Sequence, residues 1–241
     1  MSGGAWAAKR FWQSARASAC EGGFTVHLDA RAVKTPLKTP LVVPTMALAE
    51  VIAAEWDVQV GKVDPATMPM TRMANSALDK VVPQFAEVAD MIAAYGGSDL
   101  LCYRATDPQA LIARQAAAWD PVLHWAATAL HAPLNITHGV MPVPQPVASL
   151  AALSAQVHAL TAFELAAFHD LVAITGSLVL GLGILGGQLT LESAWMLSRV
   201  DETWQAEIWG SDDQAAAAEA FRRHGLHEAG RFLELCRLQS A

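Results

Sequence analysis

Phe24-Thr-Val-His-Leu-Asp-Ala-Arg-Ala-Val33 alternates apolar and polar residues on either side of Asp29-Ala-Arg31, and its reading decides the fold. Period-two alternation broken by a polar turn is the signature of a β-hairpin with one buried face. Two Thr-Pro pairs, Thr35-Pro36 and Thr39-Pro40, bracket a second turn, and Leu41-Val-Val-Pro44 supplies another short strand. Proline keeps such strands short and peripheral. Residues 1–45 therefore read as a small β-rich N-terminal domain.

After Pro44 the period changes. Thr45 is suited to cap a helix whose one face carries Leu48, Val51, Ile52 and Trp56. Helical spacing continues through Thr71–Val82 and Gln84–Tyr95, a pair split by Pro83 and ended by Gly96-Gly97. Ser98–Tyr103 reads as a short apolar connection. Pro108–Ala118 is helical, and Asp120-Pro121 reads as the cap and first residue of a further helix. The proline-rich stretch His138–Pro146 is a loop. Ser149–Leu160, Ala162 to about Leu185, and Leu191–Trp209 follow as helices, and Asp212 or Asp213 caps the last one. The class is α+β, with residues 46–241 forming an α-helical C-terminal domain.

Bulk composition excludes several functions. With 53% hydrophobic residues the chain can bury a large core. A net charge of -7, with its 16 basic residues scattered, does not suit a nucleic-acid surface. Cys20, Cys102 and Cys236 are odd in number and far apart, which is neither a disulfide framework nor a zinc site. The opening residues, Met1 to Trp12, lack the apolar core of a secretory signal and the length of an amphipathic presequence, so cytoplasm is expected. Leu171–Leu191 is uncharged and long enough to span a bilayer. Its five glycines, its polar Thr175, Ser177, Gln188 and Thr190, and the absence of flanking Lys or Arg instead suit a buried helix crowded by neighbours.

The motifs give little chemistry. Gly181, Gly183 and Gly186 match the G-x-G-x-x-G dinucleotide fingerprint, so a dinucleotide-binding enzyme is the alternative function. The surrounding pattern is helical, however, and close helix packing explains the same glycines. There is no phosphate loop and no nucleophile elbow. The histidine pairs lack a companion set of ligands, so neither metal nor other cofactor is expected. The chain carries eight tryptophans, several of them beside acids. Core packing or a partner surface would use them equally well, with packing the better reading for Trp56 and Trp119.

Several of these strings resemble the ATP-twelve family of mitochondria and α-proteobacteria. They are Phe24 through Thr35-Pro36, Leu41-Val-Val-Pro44, Ala54-Glu55-Trp56, Met68-Pro-Met-Thr71, Asp99-Leu-Leu-Cys-Tyr-Arg104, Gln115 with Trp119-Asp120-Pro121, and Thr175-Gly176-Ser177. The resemblance ends with Glu192-Ser-Ala-Trp195 through Asp201-Glu202, Glu207 and Trp209-Gly210 to Asp212. Because the matches run in order over nearly the whole chain, they outweigh any single motif. The resemblance implies a β-rich N-terminal domain and a helical C-terminal domain. It also implies a non-enzymatic chaperone that binds the alpha subunit of the ATP synthase head until the beta subunit arrives. A bacterial cytoplasmic member is expected, with eukaryotic relatives in the mitochondrial matrix.

Within the C-terminal match, a continuous helical wheel puts Leu197, Trp204 and Ile208 on one face. Glu207 falls just beyond that face, with Asp201 at its opposite edge. Glu207 is therefore the leading candidate for contact with the client, with Asp201 and Asp212 behind it. An ordinary salt bridge, for instance to Arg199, would explain the same position.

Overall fold

A computed structural model describes residues 9–210 and 212–238. Residues 1–8, on which most of the leader reading rests, lie outside the described residues. The chain divides into two compact units. One gathers Met1–Phe85 with Ala162–Ala167 and Arg231–Ala241, and the other gathers Ala86–Thr161 with Phe168–Gly230.

The first unit holds an antiparallel sheet of β1 (Ala15–Cys20), β2 (Gly23–Leu28), β3 (Arg31–Ala32) and β4 (Val42–Val43). β2 is central: β1 pairs with its whole length, while β3 and β4 share its other edge. Asp29 makes the expected turn, with φ at 54°, and its carboxylate accepts the Gln13 and Ser14 amides. Helix α1 (Met46–Asp57) packs on this sheet. Thr45 caps it, accepting the Leu48 amide at 3.1 Å and donating its hydroxyl to the Leu235 carbonyl at 2.7 Å. From α1, Glu55 accepts the amides of Met70 and Thr71, both at 2.8 Å. That carboxylate thus satisfies buried N–H groups that lack an intrahelical acceptor at the start of α2 (Pro69–Ser76) and faces its positive dipole end. A π turn (Ala77–Val81) and a 3-10 turn containing Pro83 carry the chain on to α3 (Phe85–Ala93), so the two expected helices form one winding path.

In the second unit, β5 (Tyr103–Arg104) and β6 (Thr137–His138) pair in parallel. Three helical readings need correction there. First, α4 runs unbroken from Gln109 to Ala129 with Pro121 inside it, so Asp120-Pro121 starts no new helix. Proline forfeits one backbone bond, but neighbouring packing holds the helix. Trp119 is fully buried and donates its indole N–H to the Leu197 carbonyl at 2.8 Å, and Asp120 pairs with Arg104 at 2.8 Å. Second, α5 (Val147–His158) is followed by α6 (Ala162–Thr175) and a separate α7 (Leu178–Leu185), not one long helix. Gly176, at φ +70°, ends α6, and the Ser177 hydroxyl caps α7 by accepting the Leu180 amide. Third, α8 (Leu191–Ser198) and α9 (Val200–Trp209) are divided at Arg199. The last helix, α10, spans Asp213–Arg237.

The uncharged run therefore falls across a break, and Leu178–Gly183 of α7 are all buried in protein. Among the described residues no helix is long and apolar enough to cross a membrane. The dinucleotide alternative is overturned here. Gly181 and Gly183 lie inside α7 and Gly186 at its end, after a helix rather than a strand. A Cβ on Gly181 would meet Val172 at 2.8 Å and Phe168 at 3.0 Å, so close side-chain packing accounts for the missing side chain.

Candidate functional site

Two sets of residues emerge from the strings singled out in the sequence. Many of the first set meet one another inside the fold. Glu55 caps the helix carrying Met70 and Thr71. Asp99, fully buried, accepts the Leu101 and Val179 amides at 3.0 Å, joining the turn Leu100–Cys102 to the start of α7. Burial pushes the Asp99 carboxyl above its ordinary range against the pull of these donors. Burial also raises the Cys102 and Cys236 thiols to about 12, which leaves both unreactive. Gln115 accepts the Ala105 amide at 2.8 Å and donates to Asp201 at 2.7 Å. Such residues hold the chain in shape, and none is free to do chemistry.

The second set lies on α9 and at the start of α10, and α9 packs on α4 while leaving its remaining surface open. The carboxylate of Glu207 is gripped at both oxygens by the guanidinium of Arg114, at 2.9 and 2.8 Å. Arg114 in turn lies over the Trp204 ring, 4.8 Å from its centroid. Planar two-point pairing fixes the direction of both charged groups. Hydrogen bonding from Arg114 holds the Glu207 carboxyl below its usual range, so it stays ionised at neutral pH. The pair is exposed to solvent, so geometry rather than stability is its contribution.

Arg199 is not the partner of Glu207. It pairs with Glu202 at 2.8 Å and lies over Trp195. Asp201, half-buried in the first turn of α9, is tied to Gln115. Asp212 is exposed and accepts the Ala215 amide at 2.7 Å, capping α10. The three acidic candidates thus do not form one cluster: Asp201 and Glu207 sit in the first and last turns of α9 with different partners, and Asp212 caps α10. The chain break at Arg199 puts Leu197 on a different helix from Trp204, and Ile208 is exposed. Sequence reasoning put Trp204 beside Glu207 but missed Arg114, which ties the two together, because no local signal links residues 93 positions apart. It also missed the exposure of Trp209 (77%) and Phe221 (79%). The only hint was Gly210 immediately after Trp209, marking a helix end.

Comparison with known proteins decides the lineage. The profile of a family described as ATP12 chaperone protein matches residues 9–127. The crystal structure of Atp12 from Paracoccus denitrificans is 51% identical, with a TM-score of 0.92 over 95% of this chain and 99% of that one. The chain belongs to the ATP12 chaperone family. The Atu1473 protein of Agrobacterium tumefaciens is 42% identical, with a TM-score of 0.89 over 94% of this chain and 85% of its own. Mitochondrial protein atp12 of Schizosaccharomyces pombe is 24% identical over 221 residues, 86% of this chain and 75% of its own length. The α+β layout expected from the sequence, strands first and helices after, is the ATP12 fold. Among the described residues no group of three or more His, Cys, Asp and Glu is placed to hold a metal ion.

Proposed function

We propose that the chain is an assembly chaperone for the catalytic head of ATP synthase. Its client is the alpha subunit, kept soluble until the beta subunit displaces the chaperone. The observation that carries this reading is the 51% identity with Paracoccus denitrificans Atp12 across 99% of that chain. The chaperone works by binding alone, in the bacterial cytoplasm, and catalyses nothing.

The physics of the task favours a contact of this kind. A subunit built to pack against another exposes a large apolar face while alone, and such faces aggregate. The cover must still leave when the true partner comes, so its contact should be partly polar and of moderate strength. No nucleotide motor is needed, because the incoming subunit offers the larger interface. In this reading Glu207 meets basic or polar groups of the alpha subunit. Arg114 holds its carboxylate in a fixed direction while leaving it exposed. Asp201 and Asp212 contribute negative potential nearby, one tied to Gln115 and the other to the α10 cap.

The test is Glu207→Lys, scored by capture of purified alpha subunit and by thermal unfolding. Arg114→Gln is the control that breaks the ion pair yet keeps the carboxylate. Capture should collapse in Glu207→Lys and fall less in Arg114→Gln, which loses the carboxylate's fixed direction but keeps its charge, and neither variant should unfold early. Full capture by a folded Glu207→Lys protein removes Glu207 from the contact.

A further inference from the structure

Helices α9 and α10 leave the core together. Every residue from Asp212 to His224 is exposed, and from Glu202 to Trp209 only Trp204 is not. Farther along α10, Leu226 and Ala229 are fully buried. Stepping back from them by three or four residues leads to Arg222, Glu219, Ala216 and Ala215, so one face of α10 begins as a surface and ends as core. That face and the facing side of α9 line an open cleft, with Ala206, Ala215, Ala216 and Trp209 forming its apolar part and Asp212, Glu219 and Arg222 among its charged lining.

This is an unusual way to build a helix. More than three turns without a buried side chain depend on alanine propensity, the Asp212 cap and one exposed ion pair, Arg223 with Glu192. Isolated helices shorter than about 12–15 residues are marginal in water. Small side chains let a third helix approach closely, at roughly 8–10 Å between axes. The exposed indole of Trp209 has the character of an interface anchor.

Charge indicates which helix. Between Arg199 and His224 stand six acidic residues against three arginines. Setting aside both members of the pairs Arg199–Glu202, Arg223–Glu192 and Arg114–Glu207 leaves Asp201, Asp212, Asp213 and Glu219 against Arg222. A second copy of this chain would bring acid against acid, whereas a basic segment is complementary.

We propose that this cleft receives an amphipathic α-helical segment of the client. The segment is apolar toward Ala206, Ala215, Ala216 and Trp209, and carries Lys or Arg beside Glu219 and Asp212. The proposal rests on the assembly-chaperone reading and adds a binding mode to it, a helix laid in a groove.

Two variants test it with purified alpha subunit as the probe. Ala216→Trp fills the cleft from an exposed position, and Glu219→Lys reverses the charge at its lip. Each should leave the unfolding midpoint unchanged and weaken capture by about tenfold or more, as loss of an interface anchor does. Rising salt should erase the difference between Glu219→Lys and the parent. If the parent captures the subunit and both folded variants do so equally well, the cleft is not the site, although the chaperone reading stands. If the parent captures nothing, that reading itself fails and the proposal with it. Sedimentation of the chain alone covers the remaining occupant. A dimer in the parent that becomes a monomer in Ala216→Trp would assign the cleft to a second copy and overturn the proposal.

Discussion

Gly181 and Gly183 sit two positions apart in α7, yet adding the same methyl group should have different consequences. In a helix interior, Gly→Ala gains about 0.8–1 kcal/mol of propensity. At Gly181 the new Cβ would lie 2.8 Å from Val172 Cγ2 and 3.0 Å from Phe168 Cε2. Val172 and Phe168 are fully buried, one stiff at its branched carbon and the other a rigid ring, so neither can yield cheaply. Overpacking of this kind costs about 1–3 kcal/mol, which leaves Gly181→Ala net destabilised by roughly 0–2 kcal/mol. At Gly183 the nearest atoms, at 2.7 and 3.0 Å, are Cδ1 and Cγ of Leu189. Leu189 is only half-buried in the connection to α8 and can swing outward, so Gly183→Ala should fall within about 1 kcal/mol of neutral. The expected gap between the variants is therefore about 1 kcal/mol, or roughly 2–4 °C in unfolding midpoint for a chain of this size. Thermal and urea unfolding of both proteins, side by side, gives the comparison. A Gly181→Ala protein that melts at or above Gly183→Ala would refute the packing explanation of the glycine run.

Two other outcomes follow from the electrostatics. Because burial raises the Asp99 carboxyl above 3.8, the folded state keeps a proton that the unfolded chain releases. Its contribution is full below about pH 3.8 and declines as pH climbs through the raised folded value. Asp99→Asn should abolish that slope in the midpoint–pH curve, and parallel curves for parent and variant would contradict it. For Glu207 the sign reverses: Arg114 lowers its folded value, so the ion pair persists at neutral pH and is lost as acid protonates the carboxylate. Client capture by the parent should fall over that acidic range, while Glu207→Gln, already weak, should show a flatter profile. Equal pH dependence in both would detach the carboxylate from capture.

What could be read from the sequence follows physical range. The β2–β3 hairpin and the Thr45 cap depend on neighbours within a few residues, so alternation and a single hydroxyl sufficed. β1 gave no such signal because Ala15–Cys20 alternates small and polar residues without an apolar face. Its pairing comes from β2. Asp120-Pro121 carried a genuine helix-start pattern, but buried Trp119 and its bond to Leu197 hold the helix straight through it. The break at Arg199 contains neither glycine nor proline, so a wheel drawn across it combined two helices. The acidic character of α9 was visible in the sequence. Its anchoring by Arg114, and the open face formed with α10, depend on residues brought together only by folding.

The central claim is that this chain keeps the ATP synthase alpha subunit from aggregating by binding it. The most direct measurement is dilution of denatured alpha subunit into buffer with increasing amounts of this chain, following light scattering and the soluble complex together. The account predicts that scattering falls as a complex of the two chains accumulates, that no nucleotide is needed, and that added beta subunit releases the chain. Unchanged scattering at excess chaperone, with no complex containing both proteins, would contradict it.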